Sequence, residues 1–452
     1  MTRGPVDDPG RGPAVTHASA DDADRDRADM PAAEGSSVLL TRVEVEGAGL
    51  VDVRLRDGRI VEIGAGLRGA VAVDGRSGAL LPGLHDHHIH LAALAAEAAS
   101  VRVGPADVRD RAGFRAALRS GPPGEWVRAT GYHESVAGDL DRWVLDALAG
   151  DRPVRVQHRT GALWVWNSAA LHAAGLRGDG RFWREDTRLR DFVPPVRLDL
   201  AGVGRRAAEL GVSGFTNADP HPREDLAALL AVLPQHVVIM GPDAPAKLML
   251  DDATLPTPDE LAATIAALRP QSVAVHCVTR VQLLVTLLAL DDAGPVAGDR
   301  IEHGSVIPDE TIAWVRRLGV TVVTQPHFPV ERGREYARDV DPDDRPHLYR
   351  CRSLVAAGVP VAAGTDAPYG TSDPWAVMRA AVARDREEAL SPRAALGLFL
   401  GEPGAPARER RVRVGEPADL CLVRTPLREA LGELSGDLVR ATFSGGRMIN
   451  GG

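Results

Sequence analysis

The chain has 452 residues, of which 44% are hydrophobic and 25% charged, and its formal net charge is −9. This length is sufficient for one large α/β domain plus an accessory domain. An acidic chain without a basic block is not expected to bind nucleic acid. Because no apolar run approaches the length of a bilayer span, a membrane is not an expected partner either.

Cysteine usage and the N-terminus both favour a cytoplasmic protein. The three cysteines, Cys277, Cys351 and Cys421, lie far apart and form no Cys-x-x-Cys pair. This pattern is typical of unpaired thiols in a reducing compartment. The N-terminal segment lacks the apolar core of a secretory signal. A homodimer is expected from the length of the chain only.

Arginine supplies almost all of the positive charge. Of the 53 Lys+Arg residues, Lys247 is the single lysine. Arginine replaces lysine in solvated charge, but it cannot become an unprotonated amine. A high-GC codon bias explains the general replacement and does not explain why one position escaped it. Lys247 is therefore a candidate functional residue, with a leftover surface lysine as the alternative.

The two ends of the ordered chain have the alternating pattern of β-strands. Residues 1–37 contain few large apolar side chains and are predicted to form a disordered tail. Residues 38–81 include a hairpin signal at Asp57-Gly58. Residues 405–452 show the same alternation of apolar and polar residues. We predict one small β-sandwich built from both segments, because pairing spares each piece an exposed edge. Two independent β additions are the alternative.

Residues 82–404 alternate short β-branched runs with Ala/Leu/Arg helices. Repeated about eight times, this alternation predicts a parallel (β/α)8 TIM-like barrel. The candidate strands number one too many: Leu80–His90, Val127–Tyr132, Val154–His158, Gly214–Ala218, Lys247–Leu250, Val273–His276, Arg300–His303, Thr321–Gln325 and Val361–Asp366. The second and third are the weakest of these. The tryptophan-rich stretch at about 126–193 is interpreted as an insertion that walls a substrate pocket.

The segment Leu81–Leu91 reads LPGLHDHHIHL and places four histidines and an aspartate within six positions. If it is a strand, Asp86, His88 and His90 share one face, and His85 and His87 share the other. A His-x-His pair on one face offers two imidazoles to one cation, which suits zinc. A solvated loop with incidental histidines is the alternative.

Other polar residues stand near the ends of predicted strands, namely Lys247, His276 in VAVHC, His303 in RIEHG and Asp366 in AAGTDAP. Active sites of (β/α)8 barrels lie at the carboxyl ends of the strands. We therefore expect these side chains to converge with His88 and His90.

These segments resemble the metal-dependent amidohydrolase superfamily, specifically the branch of large amidohydrolases that includes N-substituted formamide deformylase. LPGLHDHHIH is similar to its first-strand motif, and PAKLMLDD to its fourth-strand lysine segment. VAVHC, RIEHG and AAGTDAP resemble its fifth-, sixth- and eighth-strand motifs, and VGEPADLCLV and VRATFSGGRMING resemble its tail. The resemblance extends from about Leu39 to the C-terminus.

The resemblance implies a metal centre of one or two Zn²⁺ ions, with Mn²⁺ or Fe²⁺ as alternatives. It implies that His88 and His90 hold one metal, that His276 and His303 hold the other, and that carbamylated Lys247 bridges them. Asp366 would be a weak ligand and the general acid/base, and Asp86 would orient the ligands. The rival is a mononuclear site of His88, His90, His276 and Asp366, in which Lys247 is a structural or substrate-binding cation.

The implied reaction is hydrolysis of a C–N bond in a small amide, N-formyl or cyclic amide compound. A metal-bound hydroxide oriented by Asp366 would attack, and the aspartate would pass the proton to the leaving nitrogen. A deaminase or ester-type hydrolase and a non-catalytic scaffold are the alternatives. The candidate pocket residues are Tyr132, His133, Trp164, Trp166, Asn167, Gln325 and His327.

Overall fold

The computed structural model describes residues 37–69, 71–120, 126–219, 224–385 and 387–451, which form a mixed α/β fold. Nearly all of the predicted tail at 1–37 lies outside these ranges. The predicted α/β class is confirmed. The three cysteines, predicted to be unpaired, are free and buried.

The strands, in chain order, are β1 (Val38–Val45), β2 (Gly49–Arg56), β3 (Arg59–Gly64), β4 (Val71–Asp74), β5 (Ala79–Pro82), β6 (Leu84–Ile89), β7 (Val101–Arg102), β8 (Val127–Tyr132), β9 (Val154–His158), β10 (Leu163–Trp166), β11 (Arg181–Trp183), β12 (Val212–Asn217), β13 (His236–Ile239), β14 (Ala246–Leu248), β15 (Val273–Cys277), β16 (Arg300–His303), β17 (Thr321–Thr324), β18 (Val361–Ala363), β19 (Gly401–Glu402), β20 (Ala405–Glu409), β21 (Leu420–Val423), β22 (Val439–Ser444) and β23 (Arg447–Gly451).

The α-helices are Leu91–Ala98, Arg111–Arg119, Glu134–Ala137, Arg142–Ala149, Ser168–Ala173, Asp186–Leu189, Leu200–Glu209, Leu226–Leu230, Pro258–Leu268, Arg280–Ala293, Asp309–Leu318, Phe328–Glu331, Gly333–Asp339, Arg352–Ala356, Pro374–Val382, Pro392–Gly397 and Leu427–Glu433. In the described ranges, none of them combines the length and the apolar character needed to span a membrane.

Strands from both ends of the chain pair in one eight-stranded sheet. Its order is β23-β22-β21-β5-β1-β2-β3, with β4 beside β1. The junction between the two ends is the antiparallel pair of β21 and β5, in which Leu420 stands opposite Pro82. Alternating apolar residues of these strands, including Leu40, Val53 and Leu422, bury one common core.

Eight parallel strands form two further sheets, and the strands β7 to β11 lie between the first and the second of these strands along the chain. β6, β12 and β13 form a three-stranded sheet, and β14 to β18 form a five-stranded sheet in sequential order. In the described residues no strand ladder joins β13 to β14 or β18 to β6. The structure therefore shows two separate sheets and no closed barrel.

The ends of β6 and β18 nevertheless meet directly. The backbone N–H of Asp366 donates to the carbonyl of His88 at 2.8 Å, and the N–H of His90 donates to the carbonyl of Ala367 at 2.9 Å. Gly364 makes this approach possible, since a Cβ there would lie 2.5 Å from both Cβ and N of His88. The first and the last parallel strand are thus held together at their carboxyl ends.

Three of the predicted strands need correction. Val127–Tyr132 and Val154–His158 are strands, but they pair in a separate five-stranded sheet of order β11-β10-β9-β8-β7. The parallel strand His236–Ile239 was not predicted. Leu80–His90 is two strands, because the chain passes at Gly83 from the terminal sheet to the parallel sheet.

We expect Gly364→Ala to lower the free energy of unfolding by about 1–3 kcal/mol, since the added methyl must displace the backbone of His88. Chemical denaturation measures the change. Gly432→Ala, in the helix Leu427–Glu433 with no atom within 4 Å of an added Cβ, is the control and should be neutral or stabilising. Equal stability of the two variants would contradict the close approach of β18 to β6.

Candidate metal centre

Three side chains from the meeting point of β6 and β18 converge on one another. Nε2 of His88 lies 3.5 Å from Oδ1 of Asp366, and Nε2 of His90 lies 3.3 Å from the same oxygen. All three ligand atoms lie within 4.8 Å of one another. This spacing is short enough for one cation to be shared among them.

Each of the two imidazoles is held by a carboxylate on its other nitrogen. Nδ1 of His88 contacts Oε2 of Glu302, and Nδ1 of His90 is 2.8 Å from Oδ1 of Asp219. A carboxylate on Nδ1 fixes the tautomer that leaves Nε2 free to bind a metal. Glu302 is in turn held by Nε of Arg300 at 2.6 Å.

Local backbone geometry aims these side chains. His88 lies near the end of β6, and His90 is the N-cap of the helix Leu91–Ala98. Asp366 and His303 have positive φ angles of 53° and 69°. Non-glycine residues seldom adopt this conformation, and its cost is met where packing fixes a functional geometry.

The other predicted ligands surround the same place. The ring of His303 lies 4.7 Å from that of His88 and 4.6 Å from that of His276. Nζ of Lys247 is buried and has no hydrogen-bond partner among the described residues. The carboxylates of Glu302 and Asp366 act electrostatically on this amine. The structure thus brings all six predicted residues together, and their roles as ligands remain predictions.

Electrostatics favours the protonation states that bind metals. Burial lowers the pKa values of His88 and His276 well below the ordinary range, so both imidazoles are neutral. Burial also lowers the pKa of Lys247, against the opposing effect of Glu302 and Asp366. For Asp366, burial would raise the pKa, but the hydrogen bond from His90 and the nearby imidazoles lower it overall.

His90 differs from the other histidines of the centre. Burial lowers the pKa of His90, but the hydrogen bonds to Asp219 and Asp366 raise it by more, and the resulting pKa is about 9. Without a metal, His90 is therefore protonated near neutral pH. A cation that binds Nε2 has to displace this proton.

Asp86 acts on the backbone around the centre rather than on an imidazole. It accepts hydrogen bonds from the N–H groups of Thr365 at 3.0 Å and His88 at 3.2 Å, and also from the Thr365 hydroxyl. Burial raises its pKa to about 7, with the bonds from Thr365 opposing that effect. Asp86 therefore holds the backbone next to Asp366 close to the backbone of His88.

A divalent metal fits the residues present. Nε2 of His88 and Nζ of Lys247 are buried polar atoms without a hydrogen-bond partner in the described part of the chain, and Oδ1 of Asp366 is buried with Nε2 of His90 3.3 Å away. Buried groups without partners are costly. A cation that prefers nitrogen and oxygen ligands would satisfy Nε2 of His88 and Oδ1 of Asp366.

Two of the predicted pocket residues lie at this centre or beside it. Oε1 of Gln325 is 2.9 Å from Nδ1 of His303 and orients that ring. His327 is buried, both of its ring nitrogens lack partners among the described residues, and Asp366 acts on it electrostatically.

The remaining pocket candidates lie on the sheet β7–β11. Tyr132 donates to the carbonyl of Gly138, and the Asn167 side chain caps the helix Ser168–Ala173. Nε2 of His133 lies 3.7 Å from Glu134. Trp164 donates to Asp186 at 2.7 Å, and Trp166 is fully buried. Tyr132 and Asn167 therefore make local contacts in this region, and their roles in a pocket stay predictions.

Three further residues near the centre were not predicted from the sequence, namely Glu302, Asp219 and Tyr369. Glu302 offered a signal, since it is an acid inside the apolar strand RIEHG. Asp219 follows β12 by two residues, where strand ends carry site residues. Tyr369 lies three residues after Asp366, and its ring is 5.3 Å from that of His90.

Comparison with known proteins decides the family. The model of the amidohydrolase family matches residues 202–449, more than half of the chain. The chain belongs to the amidohydrolase family. This confirms the resemblance at the level of the amidohydrolase family. The formamide deformylase branch is not confirmed.

Individual relatives agree with this assignment. This chain is 28% identical to the putative amidohydrolase YtcJ of Bacillus subtilis (strain 168) over 114 residues. These residues are 25% of this chain and 22% of the relative. The match thus spans about a fifth of that curated relative.

Two solved structures share its fold. An uncharacterized metal-dependent hydrolase from Pyrococcus furiosus has 21% identity, covers 85% of this chain and 98% of its own, and gives a TM-score of 0.66. A mutant of atrazine chlorohydrolase TrzN from Arthrobacter aurescens TC1, complexed with zinc and atraton, has 15% identity, 91% and 94% coverage and a TM-score of 0.52.

Glu302→Gln tests the support of His88. The amide has one acceptor oxygen for Arg300 and His88 together, so the imidazole loses its negatively charged partner. We expect zinc affinity to fall by about 10- to 100-fold, as measured by competition with a chromogenic chelator. Glu62→Gln, at an exposed pair with Arg54, is the control. Unchanged affinity in Glu302→Gln would show that His88 does not depend on this carboxylate.

Proposed function

We propose that this amidohydrolase cleaves a C–N bond in an amide, N-formyl or cyclic amide compound. The observation that carries the proposal is the buried Oδ1 of Asp366, which lies 3.5 Å from Nε2 of His88 and 3.3 Å from Nε2 of His90. A divalent metal held there, zinc by preference, supplies a water of lowered pKa and polarises a carbonyl.

Asp366 is the proton carrier in this proposal. Its pKa lies below the usual range, so the carboxylate is ionised and able to accept a proton from the attacking water. The aspartate then gives that proton to the leaving nitrogen, which departs as a neutral amine. The backbone N–H of Asp366 donates to the carbonyl of His88 in β6 and keeps the residue in place during both transfers.

His88 and His90 are the proposed ligands of one metal, and His276 and His303 of a second. Lys247 would bridge the two as a carbamate, formed when its neutral amine adds carbon dioxide and loses a proton. The lowered pKa of Lys247 supports this, since only the unprotonated amine reacts. The eight parallel strands of the two sheets are consistent with a barrel around such a centre.

A mononuclear centre has one observation in its favour. Of the six candidate residues, the group whose ligand atoms all lie within 4.8 Å of one another consists of His88, His90 and Asp366. In that case Lys247 remains a buried ammonium or amine beside the site.

A panel of substrates tests the reaction. An N-formyl amine, a linear amide and a cyclic amide are compared with an ester and an aminated heterocycle. We expect turnover of one of the first three, its loss with a chelator and its return with zinc. Asp366→Asn should lower kcat by about 10²- to 10⁴-fold, whereas the exposed Asp291→Asn should not.

Turnover restricted to the ester or the heterocycle would replace the proposed reaction by ester hydrolysis or deamination. A metal-loaded protein that hydrolyses none of the five would contradict an enzymatic role for this centre.

Lys247→Arg separates the binuclear from the mononuclear centre. Guanidinium cannot form the carbamate, so we expect the variant to lose metal and activity together, with partial recovery in acetate. Elemental analysis gives the metal content per chain, and circular dichroism controls for folding. The exposed Arg317→Lys is the matched control. Unchanged metal content in Lys247→Arg would exclude the bridge.

A further inference from the structure

The sheet β7–β11 has two unlike faces. Val127, Ala129, Val154 and Val156 bury an apolar core on one face. On the other face the same strands carry polar residues, because side chains alternate along a strand. In the register of β8 and β9, Arg128 stands directly opposite Arg155.

Arg155 is a buried cation that forms no ion pair among the described residues. The residue is 9% exposed, and its Nε has no hydrogen-bond partner among the described residues. Its guanidinium lies 5.2 Å from the ring of Trp164, and that of Arg128 lies 5.3 Å from the same ring. Burying an unpaired charge is expensive, and a neighbouring like charge adds to the cost.

Nearby groups do not neutralise Arg155. Asp186 acts on Arg155 electrostatically, but its carboxylate accepts a hydrogen bond from Nε1 of Trp164 at 2.7 Å and forms no ion pair with Arg155 in the described ranges. Arg128 is held by the carbonyl of Ala96 at 3.1 Å. Burial, with Arg128, lowers the pKa of Arg155 to about 10, which leaves it charged at neutral pH.

Further hydrogen-bond donors on this face also lack partners. Oγ1 of Thr130 and Nε1 of Trp166 are buried and have no partner in the described part of the chain. Trp166 stands opposite Arg155 in the pairing of β10 with β9. A group of unmet donors around a cation suits a ligand that offers acceptor oxygens and negative charge, which a carboxylate does.

A short series of contacts links this face to the metal centre. Nε2 of Gln157 donates to the carbonyl of Gly161 at 3.2 Å. Gly161 lies against Tyr369, since a Cβ there would be 2.6 Å from its ring. The Tyr369 ring is 5.3 Å from that of His90. Arg155 precedes Gln157 by two residues, or about 6.6 Å along the strand.

We propose that Arg155, with Thr130 and Trp166, binds a carboxylate at the far end of the substrate. The substrate class would be amides or N-formyl amines that carry a carboxylate several bonds away from the scissile C–N bond. This inference rests on the proposed function for the scissile bond, whereas the carboxylate subsite is a separate binding claim.

The kinetic test compares N-formyl-6-aminohexanoate with the neutral N-formylhexylamine. For the wild type we expect a KM at least about 10-fold lower for the carboxylate, the size of one charge-assisted hydrogen bond. Arg155→Met should remove this preference, so that the KM values of the two compounds become equal within about twofold. Arg155→Lys should retain part of it, and the exposed Arg205→Met should retain all of it.

A binding test keeps the two proposals distinguishable. Hexanoate and hexanamide, which lack the scissile bond, are titrated calorimetrically into wild type and Arg155→Met. Binding of hexanoate that depends on Arg155, without turnover of either N-formyl compound, would retain the subsite and reject the reaction for this class.

Equal KM values for the two N-formyl compounds, together with hexanoate binding no tighter than hexanamide binding, would overturn the subsite and leave the reaction. Both comparisons use the wild type, so they decide the matter even if Arg155→Met does not fold. A variant that only loses thermal stability would indicate a packing role against Trp164.

Discussion

The buried series Arg300–Glu302–His88 is the constraint on which the metal centre depends. Glu302 is fully buried, and its two oxygens contact Nε of Arg300 and Nδ1 of His88. Arg300 also donates to the carbonyl of His87 at 2.8 Å, so the same cation fixes β6. The carboxylate settles the tautomer of one imidazole, and through it the atom that faces Asp366. Removing either charge would leave the other buried and uncompensated.

Side-chain parity and strand ends made much of the centre predictable. The pattern His-x-His placed His88 and His90 on one side, and both face Asp366 in the structure. Glu302 and Asp219 were not predicted from the sequence, because a carboxylate that hydrogen-bonds to a candidate metal ligand follows no spacing rule. Their partners lie 214 and 129 residues away in sequence, a relation that tertiary structure alone reveals. Trp164 and Asn167 were singled out by composition and resemblance, and their roles in a pocket stay predictions.

The fold shows the same division between local and distant information. The hairpin at Asp57-Gly58 and the parallel strands were predictable from alternation and apolar runs, which are local. His236–Ile239 was missed because it is four residues long, begins with a polar side chain and is only half-buried. Val127–Tyr132 and Val154–His158 have ordinary strand patterns, and nothing in those patterns tells which sheet a strand will join. Sheet membership depends on pairing partners, as the break at Gly83 also shows.

The pairing of β21 with β5 has a consequence for how the molecule is made. Gly83, at the entrance to β6, donates to the carbonyl of Asp419 at 2.8 Å, and His85 donates to that of Phe399 at the same distance. The strand that bears the histidines is therefore anchored by residues more than 300 positions later. Contacts of such separation form late, because closing a long loop costs entropy before any contact compensates for it. During synthesis on the ribosome, the histidine cluster therefore cannot form its final contacts until almost the whole chain has emerged.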